Sequence, residues 1–382
     1  MAREVRDVGR NKKLLSYYDY SLLFLTIFIV CFGLVMIYST SSYNAQRFYN
    51  RSTYFLEKQA LFAIVGTFVM IITSKIDYRI LIKKMPIIRI KPVTALYLLC
   101  IALQVVVLIF GEVINGAKRW IRIGSLGSFQ PSELSKIAVI LFCAYIVNLA
   151  PRRLDKIWGF LRVCIFIAPL IGLVLIENLS TALVMGIIMV AVCFVASRKK
   201  LYFFGCGFAM IGVGVLAILM EGYRAERIMV WLNVETHEKG YQILQGLYAI
   251  ASGGIFGKGL GESMQKLGFI PESHNDMIFS VICEELGLFG AIAVILIFVL
   301  IIWRLFIIAI SAPDLFGGLI ATGVLAHIAS QVLINIAVVT NSIPSTGIPL
   351  PFISYGGSSI LVLLFEMGIV LSVSNQIKYE KG

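Results

Sequence analysis

Ten times along this chain the residues stay apolar for long enough to cross the hydrocarbon of a bilayer, and no other feature so narrows the fold. The runs fall near residues 21–38, 59–73, 93–110, 134–147, 160–176, 182–196, 201–220, 277–302, 316–336 and 353–373. A crossing helix needs roughly 17–25 residues, and the shorter runs leave their ends open. Only 14% of the 382 residues are charged and 59% are hydrophobic, against about 25% charged in soluble domains. A soluble globular chain is excluded. Backbone N–H and C=O groups find no water in lipid, so the runs must be helices. The expected fold is an all-α polytopic membrane protein of about ten transmembrane helices.

Basic residues set its orientation, because Lys and Arg collect in cytoplasmic loops. If ten spans alternate, one side gathers Arg3, Arg6, Arg10, Lys12 and Lys13, then the basic residues of 75–91, then Arg152, Arg153 and Lys156, then Arg198, Lys199 and Lys200, and finally Arg304, Lys378 and Lys381. Both termini are therefore cytoplasmic. Residues 1–20 form a basic N-terminal segment, 21–374 one membrane domain and 375–382 a tail. The first run lacks a small-residue cleavage site and reads as a retained anchor. The net charge of +12 reports this orientation, and no nucleic-acid partner is expected. The seven cysteines stand singly inside apolar runs and read as small hydrophobes.

Polar length on the outer face falls in 39–58, 111–133 and, longest, a loop over 221–276 between the seventh and eighth helices. Loops of that length tend to carry function. Within it, 241–252 has helical spacing of apolar residues and is expected to lie as an amphipathic helix at the interface. Five of the six aspartates map to the cytoplasmic side, leaving Asp276 as the outer one. At the boundary of water and hydrocarbon a carboxylate can be partly desolvated yet reachable, which suits a general base. A helix cap or first-turn acid is the competing reading.

Outer cations run against the positive-inside tendency and ask for an anion. Lys118, Arg119 and Arg122 flank Trp120, and Lys136 lies three residues after Glu133 at a helix start, close enough to pair with it. Phosphate or pyrophosphate suits the fork of Arg and the point charge of Lys; lipid headgroups, or pairing among the charges, are the alternatives. Arg224 and Arg227 open the long loop and could add positive charge, as could Lys258. Lys258 lies in the glycine-rich 253–261, which lacks the Walker spacing and reads as a flexible turn. Glu284, Glu285 and Glu366 fall inside spans and should pair, protonate or face a cavity, and a proton relay stays open. His327 reads as a hydrogen-bonded bundle residue. Residues 341–359 pack three prolines and three glycines beside a span. Irregular backbone at that depth must border protein or a wet cavity. That segment lines something on the outer side, with Ser354 as its candidate contact to substrate.

Four separated motifs, 116–120 with 130–136, 241–266, 271–287 and 344–359, resemble the SEDS family (shape, elongation, division and sporulation), in an FtsW/SpoVE/RodA-like form, over nearly the whole chain. The resemblance implies a peptidoglycan glycosyltransferase that polymerises lipid II on the outer leaflet. The family's essential aspartate matches Asp276, its Glu and Lys match Glu133 and Lys136, and its Arg-Trp pair matches Arg119 and Trp120. The donor would be the glycan on its polyprenyl pyrophosphate and the partner a single-span class B penicillin-binding protein, within the division or elongation machinery of a bacterial cytoplasmic membrane. The segment 348–355 leans toward the FtsW and SpoVE branch. Where relatives carry Pro-Asp-Leu-Gly-Thr, this chain has Glu177, Asn178, Leu179, Ser180 and Thr181, which puts an ionised role at Asn178 in doubt. No metal-ligand cluster is visible, and no cofactor is evident beyond a divalent cation (Mg or Mn) that could accompany the pyrophosphate. A lipid II flippase using Glu284, Glu285 or Glu366 and a non-catalytic scaffold are the alternative functions.

Overall fold

The computed structural model describes residues 14–85, 89–114, 117–122, 128–201 and 222–380, together with 203, 205, 207 and 212. Among these, nine helices are long and apolar enough to cross a membrane. They are α1 (Tyr20–Tyr49), α2 (Tyr54–Lys75), α3 (Pro92–Phe110), α4 (Pro131–Leu149), α5 (Ile157–Glu177), α6 (Leu179–Ala196), α9 (Ile278–Ser311), α10 (Leu315–Val339) and α11 (Gly357–Asn375). The long loop adds α7 (Gly222–Leu232) and α8 (Tyr241–Gly253). Most of the expected tenth span, 201–220, lies outside the described residues. The chain is thus a polytopic all-α membrane protein.

The bundle is organised for lipid. Residues such as Ile64 and Phe68 of α2, Leu98 and Ile109 of α3, and Ile165 of α5 are exposed, as suits helices whose outer solvent is acyl chain. The polar residues turn inward. Central α4, α10 and α11 bury Glu133, Lys136, His327, Gln331, Asn335 and Glu366. His327 Nδ1 meets Glu366 Oε2 at 2.7 Å, joining α10 to α11 as a bundle contact.

The observed helices correct several expected boundaries. α1 runs to Tyr49, so the first outer segment is mostly helix rather than loop. Asn50 closes it with a left-handed turn, φ 53°. Within the described parts of the two terminal segments, β1 (Leu14–Tyr17) pairs antiparallel with β5 (Ile377–Glu380). The same end gathers an ion pair of Arg304 with Asp19 at 2.7 Å and one of Arg79 with Asp314 at 2.7 Å. These contacts hold the basic ends of α1, α9 and α10 together, as alternating spans require. A small ribbon of β2 (Glu112–Ile114), β3 (Ala117–Arg122) and β4 (Ser128–Phe129) carries the outer cations between α3 and α4.

The long loop is built on a break in α9. Gly287 leaves the helical region at φ 65°, so the N–H groups of Leu288 and Phe289 lose their partners one turn back. They donate instead to the carbonyls of Gly254 and Ile255, at 3.0 and 3.2 Å. The freed carbonyls of Glu284 and Glu285 accept from Lys258 and Gly259, both at 2.9 Å. Four backbone groups that lipid could not satisfy are thereby exchanged for four that the loop supplies. A Cβ on Gly257 (φ 79°) or Gly287 would run into the backbone facing it, so both positions require glycine. The glycine segment is a turn, as expected, but one fixed by hydrogen bonds rather than flexible.

Candidate active site

Asp276 sits in the irregular turn that precedes α9. The cap of that helix is Met277, with no side-chain capping bond, so the Asp276 carboxylate does not serve as a helix cap. Its backbone is fixed from α10: Asn335 Nδ2 donates to Asp276 O and to Ile348 O, each at 2.8 Å. That one amide clamps the Asp276 turn to the proline-rich segment. A second clamp is Ser354, whose Oγ donates to Asn275 O at 2.7 Å and accepts from Leu350 N at 2.9 Å. Tyr355 N donates to His274 O at 2.9 Å. Gln59 on α2 holds the far side, donating to Ser354 O at 3.4 Å and accepting from Gly356 N at 3.1 Å. Below, Phe55 packs on His274 and Tyr355, with ring centroids 4.5 and 5.1 Å apart.

The carboxylate itself is left open. It is partly exposed, and the cation whose charge reaches it is Arg227. Crowding by protein raises its pKa from 3.8 to about 6. Its own backbone amide and Arg227 pull the value down, while Glu272 pushes it up. Neighbouring His274 is held neutral, its pKa lowered by burial to about 4. A carboxylate with a pKa near 6 is ionised at neutral pH yet far more basic than a solvated aspartate. Such a group can take a proton from a hydroxyl.

The other sequence candidates divide into those gathered here and those placed elsewhere. Arg227 is gathered: its Nη1 donates to Ser345 O at 3.1 Å, and its charge acts on Asp276. Ser354 is beside Asp276, but its hydroxyl is spent on the clamp and buried, so it positions the turn. Lys118 and Arg119 stand on β3, tied to the end of α5. The Lys118 amide donates to Glu177 Oε2 at 2.9 Å and Arg119 Nε to Glu177 O at 2.8 Å. Trp120 is half-buried beside them, and Arg122 is exposed. Glu133 and Lys136 pair at 2.9 Å, with Lys136 only 1% exposed. Lys136 therefore faces its own glutamate inside the bundle and not an outer anion. Lys258 likewise pairs with Glu284 at 2.6 Å. The side chain of Arg224 lies outside the described residues, as does Gly116.

The carboxylates that a transport route would need are also engaged. Glu284 accepts from Lys258, Ser252 and Ser263 and from the amides of Met264 and Gln265. Glu285 accepts from Ser39 and Lys266. Asn178 accepts from Thr181 N at 3.1 Å as the cap of α6, a task asparagine performs as well as aspartate. That explains the local departure from the family pattern. Residues that sequence reasoning passed over are Asn335, Gln59, His274 and Tyr355. A lone Asn inside an apolar span was the available signal for the first.

Among the described residues no three His, Cys, Asp or Glu side chains converge as a metal site. The carboxylate whose charge acts on Asp276 is Glu272, and two carboxylates by themselves do not enclose a cation.

Residues 20–379 match the family model FTSW_RODA_SPOVE, described as cell cycle protein. A probable peptidoglycan glycosyltransferase FtsW of Trichlorobacter lovleyi is 37% identical over 97% of both chains. The stage V sporulation protein E of Bacillus subtilis is 38% identical over 94% of this chain and 98% of its own. Among solved structures, a chain from a peptidoglycan synthase complex described as coordinating polymerization and crosslinking superposes with a TM-score of 0.77 at 27% identity, over 94% of this chain and 97% of that one. The rod shape determining protein RodA of Thermus thermophilus gives 0.69 at 26% identity, over 94% and 97%.

Proposed function

This chain belongs to the FtsW, RodA and SpoVE family of cell cycle proteins, and from that premise we propose how its outer face works. It is a peptidoglycan glycosyltransferase, and its substrate is lipid II, polymerised at the outer surface of a bacterial cytoplasmic membrane. One observation carries the mechanism: just before α9, in a turn clamped by Asn335 and Ser354, stands a partly exposed carboxylate whose pKa is raised to about 6. Asp276 accepts the proton of the attacking sugar hydroxyl. That oxygen bonds the anomeric carbon of the donor glycan as the bond from that carbon to the polyprenyl pyrophosphate breaks. The departing group carries negative charge, which Arg227, the cation that acts on Asp276, offsets; Lys118, Arg119 and Arg122 on β3 are the cations to meet the pyrophosphate farther along the same face.

A divalent cation, if it takes part, rides with the pyrophosphate. The likeness to a peptidoglycan synthase complex supports a crosslinking partner, a class B penicillin-binding protein, within the division, elongation or sporulation machinery.

The test is lipid II polymerisation by purified protein with Asp276→Asn. Loss of polymer from a folded variant is expected, and undiminished polymer would overturn the assignment. Translocation of labelled lipid II in proteoliposomes that persists without the carboxylate would instead favour a flippase. Normal growth with the variant would favour a scaffold.

A further inference from the structure

At the opposite end of the bundle from Asp276, a cavity of about 230 Å³ lies between α3, α4 and α5. It is not sealed but opens to the surface beside exposed Leu149 and Phe166, so a ligand can enter it from outside the bundle. Phe142, Tyr145, Ile146 and Phe166 make its walls apolar, while Arg153 and Arg162 line the same space. Beside it, Trp158 is 77% exposed and Ile165 70%, so this flank faces lipid, with a tryptophan at headgroup level.

Among the described residues neither Arg153 nor Arg162 has a carboxylate within ion-pair distance. Asp155, the acid closest in sequence, is engaged by the Arg198 amide at 2.9 Å. The Arg162 guanidinium stands 5.8 Å from the centroid of Phe166. Lys91 donates to the Tyr145 hydroxyl at 3.0 Å and lies 4.5 Å over its ring. Two guanidinium forks thus line an apolar slot whose wall residue Tyr145 also carries the Lys91 ammonium. A general excess of basic residues explains their side of the membrane, but not their gathering on one hollow.

We propose that this slot binds one anionic glycerophospholipid of the cytoplasmic leaflet, its phosphate held by Arg153 and Arg162 and an acyl chain laid along Phe142, Ile146 and Phe166. The site is separate from the catalytic reading and stands without it.

The experiment is native mass spectrometry of the full chain in detergent, offered phosphatidylglycerol or phosphatidylcholine. The wild type should retain one phosphatidylglycerol in preference to phosphatidylcholine. Replacing both cavity arginines (Arg153→Gln with Arg162→Gln) should lower that retention about tenfold, while Arg152→Gln with Lys156→Gln, equal in charge but outside the lining, should change it less than about twofold. Ile146→Trp fills the slot without touching charge and should also lower retention, which decides the matter if the arginine variant does not fold. Equal retention of the two lipids, equal loss in both charge variants, or unchanged retention in Ile146→Trp would each overturn the site.

Discussion

Asp276 and the pair Glu284 and Glu285 lie within nine residues of one another, yet the protein treats them oppositely. The two glutamates are fully buried, each with a lysine within 2.7 Å and with hydroxyl or amide donors on the remaining oxygens. Asp276 stands before α9 with its backbone clamped and its carboxylate partly exposed. Compensated carboxylates fix the loop to the broken helix, and the uncompensated one keeps its reactivity. Burial without a partner raises basicity; burial with one only holds structure.

Removing single side chains should separate the two corners. Asp276→Asn should reduce polymerisation by about 10²- to 10⁴-fold, the usual worth of a general base, with folding intact. It should even stabilise the protein at pH 7. The folded pKa of about 6 lies above the reference 3.8, so the folded state holds the proton more tightly. Stability is therefore lost as pH rises through that window, by up to about 3 kcal/mol. Thermal inactivation at pH 7 and at pH 4 checks the sign.

Lys266→Met should do the reverse, costing about 3–5 kcal/mol of stability by stranding Glu285. Adding Glu285→Gln should recover part of the loss in thermal-inactivation midpoints.

The pH profile distinguishes the corners without mutation. The acid limb of the polymerisation rate should have an apparent pKa of about 6 and not one near 4. A limb near 4 would mean that the working carboxylate is solvated.

Asn335→Leu should have a smaller effect, about 1–3 kcal/mol from two carbonyls left without their donor. It should lower turnover more than substrate affinity, because it loosens the Asp276 turn without touching substrate.

The smallest effect belongs to Asn178→Asp, expected within about 0.5 kcal/mol and without change in rate, since both residues cap helices equally well.

Nine of the ten expected spans stand as long apolar helices among the described residues, and they were legible in the sequence because hydropathy is a sum over neighbouring residues. The pairing of Glu133 with Lys136 was legible for the same reason, their separation being one helical turn. What could not be read was the fate of Lys258 and Lys266. Their partners lie 26 and 19 residues away, across a helix break whose form depends on Gly287 meeting the glycine turn. Nor could pattern show that Asn335 would reach two carbonyls, or that Leu14–Tyr17 would pair with Ile377–Glu380.

By itself, then, the chain determined its solvent and where its helices would run, since both follow from transferring local segments between water and lipid. Only the tertiary structure decided which carboxylates are neutralised and which is left basic. That depends on donors brought within 3 Å from distant positions, and a few ångströms separate a structural ion pair from a reactive base.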